Sequence, residues 1–286
     1  YGRRRMATRH QDEPGRVNMV VAMPAEACPL VDGLGLEPVA GCDPFQAYHG
    51  DSVSLIVSGP GMARAAAAAG YLFRLNGGCR EQGWLNVGLG GHRSHPTGAA
   101  FLAHRVSDGL SLQSFYPPRV FEAPCPGEAV LTVGRVERDY PRPVIYEMEA
   151  AGFLAAALRF STAELVQVLK IVSDNTDSPA SRVRSRNISA FVADQQGAIA
   201  SLLKSLGALA GEMRALARPH PEQERFLERW RFTATQQHQL RELLRRFRLL
   251  LPDRSAFESV RGQDRARGVL NQLALELDAM VPDLQA

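Results

Sequence analysis

SVSLIVSGPGMARAAAAAGYLFRL, residues 52–75, changes its hydrophobic period within three residues. Ser52 to Ser58 reads as a short buried strand, apolar and β-branched at its centre. Gly59-Pro60-Gly61 marks a tight turn. Met62 to Leu75 then carries Ala65 to Ala69, residues of the highest helix propensity, so the stretch predicts strand, turn and helix in direct succession. That unit, repeated, builds a parallel sheet covered by helices.

The same alternation recurs on both sides. Val17 to Met23 predicts a first strand, and Trp84 to Leu89 a buried one running into Gly88-Leu89-Gly90-Gly91. Ala100 to Val106 predicts another, edged by Asp108, and Glu164 to Ser173 a last one ending in Ser173-Asp174. Residues 115–128 hold Pro117, Pro118, Pro124 and Pro126 and read as loop. Glu147 to Phe160 has apolar residues at helical spacing, and Ile188 to Leu216 predicts one long helix with Gly197 and Gly207 as weak points. The expected fold class is α/β, a three-layer fold with a central mixed, mostly parallel sheet flanked by helices. Pro219-His220-Pro221 ends this pattern. Beyond it, Thr233 with Gln236 and Ser255 with Glu258 are capping signals for two amphipathic helices. The first carries Leu240, Leu243, Leu244 and Phe247 on one face; the second is expected to run to about Met280. Three segments follow: a basic head over 1–16, an α/β domain over 17–218 and a C-terminal helical extension over 219–286.

The charge is unevenly placed. Lys and Arg number 33 against 30 Asp and Glu, a net +3. Arg3, Arg4, Arg5, Arg9 and Arg16 against Asp12 and Glu13 account for all of it (5 − 2 = 3), leaving residues 17–286 neutral. The head reads as disordered or upstream sequence, with Met6 or Met19 as candidate starts; a nucleic-acid arm is the alternative, and so few phosphate contacts would bind weakly. A second basic stretch, Arg225 to Arg248, interleaves Trp230, Phe232 and Phe247 with its arginines. Nucleic-acid contact is conceivable there, but the expectation is a helical cap whose arginine stems cover apolar surface.

At 45% hydrophobic and 22% charged, the composition is that of a soluble globular protein and excludes disordered and fibrous classes. No apolar run reaches the roughly 18–20 residues of a membrane span, and a cytoplasmic protein is expected. Cys28, Cys42, Cys79 and Cys125 are widely spaced, which signals reduced thiols instead of a disulfide framework or a zinc site. His92 and His95 sit three apart, yet no acid completes a ligand set, so no metal and no cofactor is expected. They are expected to line the sugar end of a pocket.

Ligands of open parallel sheets bind beyond the carboxyl ends of the strands. The polar residues there are Met23-Pro24-Ala25-Glu26, Ser58-Gly59-Pro60-Gly61, Gly88-Leu89-Gly90-Gly91 and Ser173-Asp174-Asn175-Thr176-Asp177. Glu147-Met148-Glu149-Ala150 joins them at a helix start. Each has a plain structural role, as first-turn acid, N-cap or turn former. Together, carboxylates and glycine loops without a nucleophilic Ser or Cys motif suit acid–base chemistry on a neutral, hydroxyl-rich substrate, such as cleavage of an N-glycosidic bond.

Ala22-Met23-Pro24-Ala25-Glu26, Ser58-Gly59-Pro60-Gly61, Asn86-Val87-Gly88-Leu89-Gly90-Gly91, Glu147-Met148-Glu149-Ala150 and Ser173-Asp174, in that order, resemble the nucleoside phosphorylase superfamily. Within it the chain is similar to the 5'-methylthioadenosine/S-adenosylhomocysteine nucleosidases over roughly residues 17–216. The resemblance implies a homodimeric, cofactor-free nucleosidase. Glu26 would activate the attacking water, and Asp174 would donate a proton toward purine N7. Glu149 would hold the ribose hydroxyls and Met148 pack under the sugar, with Glu147, Gly90 and Ser173 completing the substrate-binding set. Cleavage through an oxocarbenium-like sugar then needs one acid protonated and another ionised near neutral pH. Phosphorylases of the superfamily carry an Arg before the central glycine turn and a Ser within it; here these places hold Asn86 and Leu89, and Arg64 falls on a helix as a solvated residue. Water is therefore the expected nucleophile, with phosphorolysis or a non-catalytic nucleoside-binding module as alternatives. The segment between Leu131 and Glu147 is short and lacks the Phe that stacks on the base in these nucleosidases; Tyr140 and Tyr146 are candidates to replace it. The expected ligand is thus a purine nucleoside or thionucleoside, with no membrane or nucleic-acid partner.

Overall fold

A computed structural model describes residues 15–280, so almost all of the expected basic head lies outside the described residues. Two compact units divide between Arg214 and Ala215, four residues before the expected boundary.

The first unit is mixed α/β, with a central sheet flanked by helices. Its strands are β1 (Val17–Val21), β2 (Glu37–Pro38), β3 (Gln46–His49), β4 (Val53–Val57), β5 (Gly83–Gly91), β6 (Ala100–Asp108), β7 (Ser114–Phe115), β8 (Gly127–Thr132), β9 (Ile145–Glu147) and β10 (Val166–Asp174). β1, β4 and β10 are buried at every residue, as expected of continuous apolar strands covered on both faces. β1 lies parallel between β4 and β5, and β5 pairs in parallel with β10. β10 continues antiparallel to β6, β6 runs parallel to β8, and β8 to β9. β9 then meets β5 through the single pair Gly91 and Tyr146, so this path closes on itself. β3 and β2 extend the β4 edge antiparallel.

Alternate residues send the sheet's two faces into separate cores. Val20, Ile56, Trp84, Val166 and Val168 pack with α2 (Met62–Leu75) and α3 (Ala150–Phe160). Val17, Met19, Val21, Leu55, Leu169 and Ile171 pack with α1 (Pro24–Leu34), α4 (Ser185–Asp194) and α5 (Gln196–Ala217).

Three expectations are corrected here. The single helix over 188–216 is two, and the break is at Gln195, not at Gly197 or Gly207. Side-chain bonds draw the chain apart there: Gln195 donates to the Gly98 carbonyl at 2.8 Å and Gln196 to that of Pro29 at 2.7 Å. Glu147 ends a strand, and the helix begins only at Ala150. The proline-rich loop is shorter than read, since β7 ends at Phe115 and β8 starts at Gly127.

The second unit holds α6 (Gln223–Arg229), α7 (Ala234–Leu250), α8 (Ala256–Ser259) and α9 (Ala266–Asp278) around its own core, centred on Phe226, Trp230, Leu244, Phe247, Val260 and Leu273. Thr233 and Gln236 form the reciprocal capping box. The second expected helix is interrupted between α8 and α9, where Arg229 and Trp230 take the carbonyls of Arg261 and Gln263, both at 2.9 Å. Arg225 and Arg229 lie over the Phe257 ring at 4.1 and 5.8 Å, covering an apolar face with cationic side chains.

Candidate active site

The carboxyl ends of β1, β5, β9 and β10 enclose a pocket of about 250 Å³. The seven catalytic and substrate-binding residues that the resemblance implies line it: Glu26, Gly90, Glu147, Met148, Glu149, Ser173 and Asp174. Met23, Leu89, Tyr146, Val133, Val136, Val183 and Ile188 supply apolar wall. A larger cleft of about 900 Å³ lies at the amino end of β4, where His49 and Ser54 both bond Arg16 at 2.9 Å.

Glu26 stands in the first turn of α1 and is buried. Its Oε2 accepts the backbone N–H groups of Ala22 at 2.8 Å and Met23 at 2.9 Å, and its Oε1 that of Leu89 at 3.2 Å. Burial pushes its carboxyl up to about 7, against the Met23 bond and the Lys170 charge, which pull it down.

Glu149 caps α3, and its Oε1 accepts the N–H of Gly61 at 2.8 Å. Gly61 sits at φ 106, a conformation that admits glycine and few other residues. Burial raises the Glu149 carboxyl despite the pull of Lys170.

Glu147 is spent on the protein itself. One oxygen accepts the Thr132 hydroxyl, and the other the N–H groups of Glu149 at 3.0 Å and Ala150 at 2.8 Å. That second oxygen also lies 2.8 Å from Lys170 Nζ, an ion pair with both side chains fully buried. Burial alone would raise this carboxyl, but Lys170 and the hydrogen bonds bring it below its ordinary value. Lys170 is the converse case: desolvation works to lower it, and Glu147, Glu149 and Glu26 outweigh that and raise it. Sequence reading missed Lys170. Its signal was a lone charge inside the apolar run VQVLKIV, residues 166–172.

Asp174 ends β10, where a register irregularity after Val172 sets it opposite Gly91. Ser173 donates its hydroxyl to Oδ1 and Tyr140 its phenol to Oδ2. Of the two tyrosines weighed as base-stacking residues, Tyr146 lines the pocket, whereas Tyr140 is buried against Asp174.

The histidines depart from expectation twice. An acid does stand beside them, Glu128 of β8, 2.9 Å from His95 Nε2. Neither histidine lines the pocket, because His92 stacks on His95 at 3.8 Å and His95 on Phe101 at 4.3 Å. His92 Nδ1 also accepts the N–H groups of Ser94 and His95, at 3.1 and 2.9 Å, which makes Nε2 its donor nitrogen.

The charge-bearing side chains that line the pocket are all acids, with the Lys170 cation behind Glu147. Glu26, Glu137, Glu147, Glu149 and Asp174 line the pocket, and among the described residues no Lys, Arg or His does.

The mixed α/β fold of the first unit is similar to that of nucleosidases of known structure. Among solved structures, the Arabidopsis thaliana 5'-methylthioadenosine nucleosidase is 18% identical at a TM-score of 0.57, over 69% of this chain and 99% of its own. The 5'-methylthioadenosine/S-adenosylhomocysteine nucleosidase of S. pneumoniae is 18% identical at 0.54, over 67% of this chain and 99% of its own. The futalosine hydrolase of Helicobacter pylori is 11% identical at 0.54, with the same coverage. No protein-family model and no curated protein matches the sequence.

Proposed function

We propose that this chain hydrolyses the N-glycosidic bond of a purine nucleoside or thionucleoside. The observation that carries the reading is the buried Glu26 carboxyl, held at about 7 in one pocket with Glu149 and Asp174. A base with that value is partly ionised at neutral pH and still basic enough to take a proton from water. In the proposed reaction the C1'–N bond breaks as the water oxygen bonds to C1', Glu26 accepts the water proton, and Asp174 delivers a proton to the departing base. Glu149 holds the ribose hydroxyls and Met148 packs under the sugar, while positive charge on the sugar is stabilised by the surrounding carboxylates.

Water is favoured over phosphate by the pocket's charge. Among the described residues, no cationic side chain lines the pocket to hold a phosphate dianion. A complex of one structural neighbour supports the ligand class: a Helicobacter pylori nucleosidase variant holds 5'-methylthioadenosine in its active site. The homodimer is part of this reading on resemblance alone.

Chromatography of a purine nucleoside panel, incubated with and without phosphate, tests it. Free base released equally in both arms is the expected result. Release only with phosphate would make the protein a phosphorylase. A nucleoside-dependent rise in melting temperature without any release would make it a binding module.

A further inference from the structure

Tyr140 lies in the segment between β8 and β9, outside the pocket and directly behind one of its walls. Its side chain is buried, 1% exposed, and its phenol donates to Asp174 Oδ2. Two features show that this approach is built in. Tyr140 has φ 44, in the left-handed region that residues with a β-carbon enter at a cost. Gly91 lies beneath: a β-carbon there would fall 2.5 Å from both Asp174 Oδ2 and Tyr140 Cε1, so any other residue would push carboxylate and ring apart. Tyr146 packs edge-on against Tyr140, with centroids 6.1 Å apart, and accepts the N–H of Arg142 at 2.9 Å, tying the intervening turn to the same cluster.

We propose that Tyr140 is a positioning residue of this site: its phenol, seated over Gly91, holds the Asp174 carboxyl in the rotamer that faces the pocket. The inference rests on the nucleosidase reading. Ser173 holds the other oxygen, so the carboxyl is gripped at both ends, and Tyr140 can reach substrate only through Asp174. Packing alone would leave the hydroxyl without purpose, since phenylalanine fills the same space. Burial and the hydrogen bond to Asp174 also push the phenol's ionisation well above its ordinary range, so it stays a donor.

The test is a double-mutant cycle of Tyr140→Phe and Asp174→Asn. On a nucleoside cleaved by the unaltered protein, Tyr140→Phe is expected to lower kcat at least tenfold with KM within about twofold. In the Asp174→Asn background the same change should do nothing further. Gly91→Ala, which displaces both groups, should reproduce the kcat loss. An unchanged kcat in Tyr140→Phe, or losses that multiply in the double variant, would overturn the inference. If the unaltered protein releases no base, the nucleosidase reading falls and the same cycle is read in melting temperature. Shifts smaller in sum than the two separate ones then support the grip on Asp174, and additive shifts overturn it.

Discussion

Glu26, in the first turn of α1, and Glu147, at the end of β9, are both buried at the same pocket, yet their carboxyls move in opposite directions. Glu147 has Lys170 Nζ at 2.8 Å and is lowered. Glu26 accepts only backbone N–H groups, sees Lys170 from farther off, and is raised to about 7. Burial of a charge is costly in both cases, and contact with the cation decides which carboxylate is relieved. The relieved one becomes part of the scaffold, bracing the start of α3; the other keeps a proton within reach of neutral pH and so retains chemistry.

The largest expected effect comes from removing the unrelieved group. Glu26→Gln should lower kcat for base release by about a hundred- to ten-thousandfold, the range for loss of a general base. A loss under about tenfold in steady-state assays would show that the unpaired carboxylate is not the base. The scaffold side is probed by Lys170→Met, which strands Glu147 as a buried charge without its cation. Urea unfolding should show a loss of about 3–5 kcal/mol. A loss below about 1 kcal/mol would place Lys170 among ordinary surface pairs and erase the contrast.

The third prediction uses pH. The folded protein holds the Glu26 proton until about pH 7, whereas the unfolded chain releases it near 4.5, so between these values the folded state binds more protons. Stability from Glu26 therefore falls as pH rises through that window, by about 3 kcal/mol over about 2.5 units, and is level above it. Glu147 has the opposite sign: its stabilisation is present above the unfolded carboxylate range and is lost on acidification. Denaturation midpoints of Glu26→Gln should lack the decline between pH 4.5 and 7. If the decline persists unchanged, Glu26 is not the group that produces it.

What could be read from the sequence follows from how locally each feature is determined. The alanine run of α2 and the apolar run of β4 state their own conformation, and Glu26, Glu149 and Asp174 mark themselves by following predicted strands. Lys170 carried a signal but no address, because its partner Glu147 is assigned only when β9 and β10 have found their places in the sheet. Glu128 was hidden for the same reason, lying where a proline-rich loop turns into β8. Tyr140 was weighed as a base-stacking residue, whereas it is buried outside the pocket lining. Its φ of 44 and its seat over Gly91 are imposed by tertiary contacts that no periodicity encodes.

β10 is the last strand among the described residues and pairs with both β5 and β6, bringing Lys170, Ser173 and Asp174 with it. During synthesis, therefore, a chain that has passed Glu149 already owns most of its carboxylates but has neither the cation that relieves Glu147 nor the acid that faces the pocket. Acquisition of the site and completion of the sheet are one event, dominated by contacts remote in sequence and correspondingly slow. The helices after Ala215 have a core of their own.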